Sequence, residues 1–346
     1  MRNKIILGVV IILAVSGLCE GCGKKNTSVD AAMSSIEDLE FDEALGQLDK
    51  AEEDGENIRL ISRARGLAKM GKADYAGAVE DFTSALQGSN GMVEEFDFDT
   101  SYYLAASEYK LGKYEDAIST YSAIISLRPK EAIAYYLRGT ALISADRHDE
   151  ALRDFNAAID IDTKNPDLYI KIFESLDSAG YTEDGNDYLG RAQSLDVKLT
   201  DYQKGLLYFC SGDYENSRTY LEKARMAGDD SSVLYLGRTY EALGDMNYAA
   251  SLYKTYLEKY PEDTRICNQL GLCCLNFGDY EGALKAFESG LESDDGSIRQ
   301  TLRFNEIVAY EYMSDFKKAA VLMQGYLKDY PDDEAAKREF EFLNTR

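Results

Sequence analysis

His148 is the only imidazole in the chain, and it sets the range of chemistry available. A zinc motif built on two histidines is excluded, and any Ser/His/Asp or Cys/His arrangement would have to recruit His148. The cysteines are Cys19, Cys22, Cys210, Cys267, Cys273 and Cys274. Cys267 and Cys274 lie seven residues apart on one predicted helix, which separates their Cα atoms by about 10 Å and rules out a bridge. Cys273 and Cys274 are adjacent and project to different sides. No Cys-x-x-Cys occurs after Lys25, so free thiols are expected, and no metal site. For an exported chain, free thiols suit a compartment that does not force oxidation. The 62 carboxylates guarantee close pairs by chance, so spacing alone identifies no acid/base couple. Asp160–Leu168 (DIDTKNPDL) begins like a calcium loop, but Lys164 stands where an oxygen ligand belongs and no turn glycine follows. Neither G-x-x-x-x-G-K-[ST] nor a strand-linked G-x-G-x-x-G is present. No catalytic residue, metal or cofactor is expected, and the chain does not read as an enzyme.

The elements that would position any site follow from a repeat. A small residue returns at Ala44, Ala78, Ala117, Ala151, Gly185, Ser217, Ala249, Ala283 and Ala319, at intervals of 34, 39, 34, 34, 32, 32, 34 and 36. Such a period marks stacked supersecondary units. Gly112–Tyr121 (GKYEDAISTY), Gly212–Leu221 (GDYENSRTYL), Gly244–Tyr253 (GDMNYAASLY) and Gly278–Phe287 (GDYEGALKAF) share one template. Twelve residues before the anchor stand Gly66, Ala105, Gly139, Gly205, Gly237 and Gly271, with Leu104, Leu236 and Leu270 preceding three of them. Tyr208, Tyr240 and Tyr310 follow three residues later. Four residues after the anchor stand Phe82, Tyr121, Phe155, Tyr253 and Phe287, and three further on Ala51, Ala85, Ala158, Ala192 and Ala224. Small residues allow two helix backbones to approach while aromatics fill the space beside them. Glycine in the Gly-Asp-Tyr or Gly-Lys-Tyr turn ends the first helix of each pair. Pro129, Pro261 and Pro331 close second helices, and Pro166 opens a helix. His148 falls on the turn position of Tyr114, Tyr214 and Tyr280, which predicts a packed aromatic substitute.

The pattern resembles the tetratricopeptide repeat over roughly residues 29–333. It departs from the family in lacking tryptophan, whose place Tyr135, Val233 and Cys267 take. Ala31, Ala32 and Ser35 make a poor first helix, the fifth repeat carries Gly185 and Leu189, and an acidic insertion, Gly91–Asp97, parts the second and third repeats. The resemblance implies an all-α, right-handed superhelical solenoid of about nine helix–turn–helix repeats over 31–333. Residues 334–346 then form a C-terminal capping helix, with Ala335, Phe340 and Leu343 covering the last repeat. Repeats of this kind cannot bury their apolar face alone.

The N-terminus is separate. Arg2 and Lys4 precede Ile5–Leu18, an uncharged apolar run that as a helix spans about 21 Å, short of a bilayer core. With the small residues that follow, this describes a secretory signal over 1–21. The ending resembles the bacterial lipoprotein signal, which implies lipid attachment at Cys22, between Gly21 and Gly23, with Cys19 as the rival and an uncleaved anchor as the alternative. Residues 22–30 would form a polar tether. The formal net charge of −24 argues against a nucleic-acid partner and against broad adhesion to anionic lipid.

In the tetratricopeptide family the first helix of each pair lines a groove that takes peptides or protein partners. The resemblance places Tyr102, Tyr109, Lys110, Tyr136, Tyr202, Phe209, Arg238, Arg265, Asn268, Phe304 and Tyr312 on that surface, and Cys210 beside them. The paired lysine and asparagine with which one subclass clamps chain-terminal carboxylates are absent. Arg238, Arg265 and Asn268 form the mildly basic part, suited to an acidic side chain. The expectation is a non-catalytic interaction scaffold exported to a bacterial cell surface and held there by lipid on Cys22. The alternatives are a membrane-tethered, cytoplasm-facing adaptor, or an enzyme or its regulatory arm.

Overall fold

The computed structural model describes residues 26–88, 93–293, 296, 298–331 and 333–345. Among the described residues every regular element is an α-helix. The chain divides into two compact units, Met1–Lys198 and Leu199–Arg346. The first holds five antiparallel pairs: α1 (Thr27–Glu37) with α2 (Phe41–Glu53), α3 (Ile58–Gly71) with α4 (Tyr75–Gln87), α5 (Glu95–Lys110) with α6 (Tyr114–Leu127), α7 (Ala132–Ser144) with α8 (His148–Ile161), and α9 (Pro166–Ser178) with α10 (Thr182–Gln193). The second holds α11 (Asp201–Cys210) with α12 (Tyr214–Met226), α13 (Ser232–Ala242) with α14 (Met246–Lys259), α15 (Thr264–Phe277) with α16 (Tyr280–Glu292), α17 (Arg299–Tyr312) with α18 (Phe316–Asp329), and a single α19 (Glu334–Leu343). Within each unit consecutive pairs stack, and odd-numbered helices also touch odd-numbered neighbours. The expected all-helical repeat solenoid is what the chain forms.

Helices of 10 to 16 residues are marginal in isolation, so packing must hold them. The nine repeat anchors all lie on even-numbered helices, and all are buried. Beside them the backbones approach without room for a side chain. A Cβ on Gly66 would stand 2.6 Å from the Phe82 ring, and one on Gly139 2.6 Å from the Phe155 ring. Gly237 meets Tyr253 and Gly271 meets Phe287 in the same way. Each of these four glycines thus seats the aromatic sixteen residues later on the second helix of its pair. Phe82, Phe155, Tyr253 and Phe287 are fully buried, and each such ring contributes about 2 to 3 kcal/mol from the area it removes from water.

The turns are as regular. Five residues before each anchor the backbone is left-handed: Leu39, Ala73, Gly112, Asp146, Gly180, Gly212, Gly244, Gly278 and Ser314 all have positive φ. The next residue caps the second helix. Asp74, Asp213, Asp245, Asp279 and Asp315 each accept a backbone N–H from the first turn, satisfying a donor that the helix leaves orphaned. Where a helix must stop before an extended link, Pro129, Pro261 and Pro331 follow α6, α14 and α18 by two residues.

Three expectations change in detail. Residues 27–30, expected in a polar tether, open α1 instead. Their N–H groups find acceptors, Ser28 and Val29 donating to Glu56 at 3.0 and 3.1 Å, and Val29 is buried. The end of the acidic insertion is structured too: Asp97 is buried in the first turn of α5, accepts the Glu94 N–H at 2.8 Å and pairs with Arg59. Phe82 stacks on Tyr103 at 5.8 Å, so the second and third pairs remain packed. In α19 the buried alanine is Ala336, while Ala335 is exposed; Leu343 is buried and Phe340 packs against the same cluster. Asp333 caps α19 by accepting from Ala335 and Ala336, which sets that register. The leader and Cys22 lie outside the described residues, as do residues 89–92. No helix among the described residues is long and apolar enough to cross a membrane.

Candidate functional site

On the odd-numbered helices of the first unit, two of the expected surface tyrosines are core residues. Tyr102 of α5 is 6% exposed and Tyr136 of α7 is 2% exposed. Their rings lie 6.2 Å from Tyr121 and from Phe155, respectively. The Tyr136 hydroxyl reaches Ser175 of α9 at 3.3 Å, and burial pushes this phenol up to about 12. Helical side chains lean toward the N-terminus of their own helix, and at this register both rings turn onto the second helix of their own pair. Neither tyrosine offers a partner much area. Tyr109 is half-buried, shares a hydrogen bond with Ser144 at 2.9 Å and stands against Tyr114 at 5.4 Å. Burial lowers the Lys110 amine from its ordinary value. His148 begins α8, packs at a tilt against Tyr181 at 4.2 Å and faces Asp184 at 2.9 Å, the packed aromatic that its turn position predicts. Nearby, a hollow of about 420 Å³ is lined by Leu152, Asn156, Asp184, Asp187, Tyr188 and Arg191, and Arg191 donates to Asn156 at 2.8 Å.

The second unit gathers more of the expected residues. Phe209 of α11 meets Tyr235 of α13 edge-on at 5.3 Å and Tyr214 at 5.7 Å. The Arg238 guanidinium lies 4.9 Å from the Phe209 ring and 5.4 Å from the Tyr235 ring. All three side chains are half-buried. Tyr202 packs against the core that contains Val233 and Leu236. One turn after Arg238, Glu241 accepts the Tyr253 hydroxyl at 2.7 Å and the Gln269 amide at 3.1 and 3.2 Å. Burial raises the Glu241 carboxyl, and these two hydrogen bonds and the charge of Arg238 partly offset that. Asn305 of α17 donates to Asn268 of α15 at 2.7 Å.

The expected basic group narrows. Arg265 is turned onto Asp263, its N-cap neighbour, at 3.4 Å, so its charge is compensated within its own turn. Phe304 stands edge-on to Tyr326 at 5.8 Å. Tyr312 is 54% exposed and stacks on Tyr280 at 5.4 Å. Tyr235 is the residue that sequence reasoning missed. It shares the register of Gln203, Gln269 and Asn305, fourteen before the anchor and one beyond the row of Tyr202, Asn268 and Phe304.

The thiols fit the packing role. Cys267, Cys273 and Cys274 are buried and unbridged, and Cys210 is half-buried. Burial pushes Cys273 up to about 12 and Cys274 up to about 11, which leaves little thiolate at neutral pH.

Residues 102–166, 202–264 and 234–298 match the tetratricopeptide repeat family. Those segments carry tetratricopeptide repeats. A curated relative, the BBSome complex member bbs-4 of Caenorhabditis elegans, is 24% identical over 197 residues, 57% of this chain. The match spans 38% of that protein's length. Among solved structures, yeast Tom70 aligns over 94% of this chain and 82% of its own, with 12% identity and a TM-score of 0.50, a likeness of fold alone. A tetratricopeptide repeat protein from Parabacteroides merdae aligns over 82% of this chain and 97% of its own, with 15% identity and a TM-score of 0.45. Tetratricopeptide repeats generally mediate protein interactions, and the scaffold is generally non-catalytic.

Proposed function

We propose that the protein is a non-catalytic scaffold, exported and held at a bacterial cell surface by lipid on Cys22, that binds peptide or protein partners on the faces of its odd-numbered helices. The observation that carries the binding reading is the Phe209, Tyr235 and Arg238 surface of the second unit. Half-buried aromatics and an arginine supply contact area with little side-chain freedom to lose, the composition of interaction hot spots. Phe209 and Arg238 come from the expected set. The remaining members in that unit, Tyr202, Asn268, Phe304, Tyr312 and Arg265, would supply its margins.

The anchor rests on the leader: Arg2 and Lys4, the apolar run Ile5–Leu18, and Cys22 between two glycines. Metabolic labelling with a fatty acid tests it. Label on the wild-type chain that disappears in Cys22→Ala supports attachment there; label retained by the variant refutes it. Protease added to intact cells tests the orientation. Digestion of the repeats supports the exported form, whereas protection supports a cytoplasm-facing adaptor.

A further inference from the structure

We infer that the second unit recognises an isolated acidic side chain of its partner at Arg238, with apolar neighbours of that side chain laid on Phe209 and Tyr235. The inference rests on the scaffold reading and gives the partner a chemistry.

Arg238 makes no ion pair or hydrogen bond among the described residues; it lies against the two rings, with the Glu241 charge acting on it through space. That is unusual company for a guanidinium in a chain of 62 carboxylates and net charge −24. Elsewhere on the odd-numbered helices Arg265 pairs with Asp263, and Arg303 pairs with Asp329 at 2.6 Å. The carboxylate best placed to neutralise Arg238 is Glu241, one turn along α13. Its oxygens are engaged by Tyr253 and Gln269 instead. Glu241 thus feels the Arg238 charge without a direct ion pair, which leaves the guanidinium donors open to a further carboxylate.

A half-buried cation with a carboxylate nearby but no direct ion pair has lost part of its hydration for only a partial return. A carboxylate arriving from outside recovers that loss through charge-assisted hydrogen bonds to a planar fork, already aligned by its stack on two rings. The overall charge restricts the occupant further. A net −24 repels a broadly acidic partner at long range, so the fit is one acidic side chain in an otherwise neutral or basic segment.

The test is selection from a peptide library displayed with blocked carboxyl ends, against the full-length chain in detergent. Enriched peptides are expected to share an aspartate or glutamate beside an apolar residue. Changing that glutamate to glutamine should weaken binding to the wild-type chain about tenfold, the scale of a hydrogen bond to a charged group. On Arg238→Gln the two peptides should bind within about twofold of each other, because the discriminating charge is gone. Arg238→Lys keeps the charge and stem, and should retain part of the preference. Far-UV circular dichroism melts of both variants verify that the repeats remain folded. Enriched peptides without a shared acid, or a preference that survives Arg238→Gln, overturn the inference and leave the scaffold reading standing. A stronger preference for free-acid over amidated synthetic peptides overturns it in favour of a chain terminus. A folded chain that enriches no peptide overturns the inference and the peptide-scaffold reading together.

Discussion

The left-handed turn offers the sharpest test of the repeat geometry, because identical backbone positions carry different residues. Gly278, with φ of 86°, ends α15, and a Cβ added there would meet nothing within 4 Å. Gly278→Ala therefore probes backbone conformation without a clash. A side chain in the left-handed region costs about 1 to 2 kcal/mol. Alanine also stiffens the unfolded chain, which returns about 0.4 to 1 kcal/mol. The net expected loss is about 1 kcal/mol. Ser314, with φ of 61° at the same position one repeat later, is the mirror experiment: Ser314→Gly should gain about the same amount by the same two terms. The chain has no tryptophan, so urea unfolding is followed by far-UV circular dichroism, and a change of this size moves the midpoint by about 0.3 to 1 M. Stability in a repeat stack is a sum of local and nearest-neighbour contributions. Amide exchange should accordingly quicken in α15 and α16 of Gly278→Ala and stay unchanged in α3 and α4. A midpoint unmoved by Gly278→Ala and lowered by Ser314→Gly would refute the reasoning.

Gly271→Ala drives a methyl into the Phe287 ring and should cost about 1 to 3 kcal/mol, whereas Gly46→Ala on the open side of α2, with nothing within 4 Å, should stabilise by about 0.5 to 1 kcal/mol; paired urea titrations measure both. Asp279→Ala removes the acceptor for the Gly282 N–H at 2.9 Å and should cost about 1 kcal/mol, read the same way. Burial, with Glu339 of α19 adding repulsion, pushes Glu311 up to about 7 from an ordinary 4.5. A carboxyl whose folded value is raised favours folding in its protonated form, so its contribution is most favourable below about 4.5 and is lost as pH rises toward 7. Glu311→Gln should then raise the melting temperature at pH 8 and leave it nearly unchanged at pH 4.

The stacking was legible because close helix approach admits few residue types. Ala117, Ala151, Ala249 and Ala283 are buried as their spacing requires, and Gly139 and Gly237 face the rings that the same spacing pairs with them. The fate of the inner tyrosines was not legible. Periodicity puts Tyr136 on the inward stripe of α7, but its burial depends on how far α9 slides over it, and Ser175 lies 39 residues away. Arg265 and Arg238 look alike in sequence; one is captured by the aspartate that caps its own helix, and the other makes no direct ion pair because Glu241, close enough to feel its charge, hydrogen-bonds Tyr253 and Gln269. Leu39 and Ala73 are left-handed without a glycine to signal it, since the helices packed on either side fix the turn.

The central claim is that partners meet the odd-numbered helices of the second unit around Arg238. A photo-crosslinking amino acid placed at Phe209 or Tyr235 tests it most directly, with the same group at Met226, 79% exposed at the end of α12, as the comparison. On cells irradiated in growth, the account expects one discrete adduct from Phe209 and Tyr235, lost with Arg238→Gln, and none from Met226. An adduct from Met226 with none from the other two positions would contradict it.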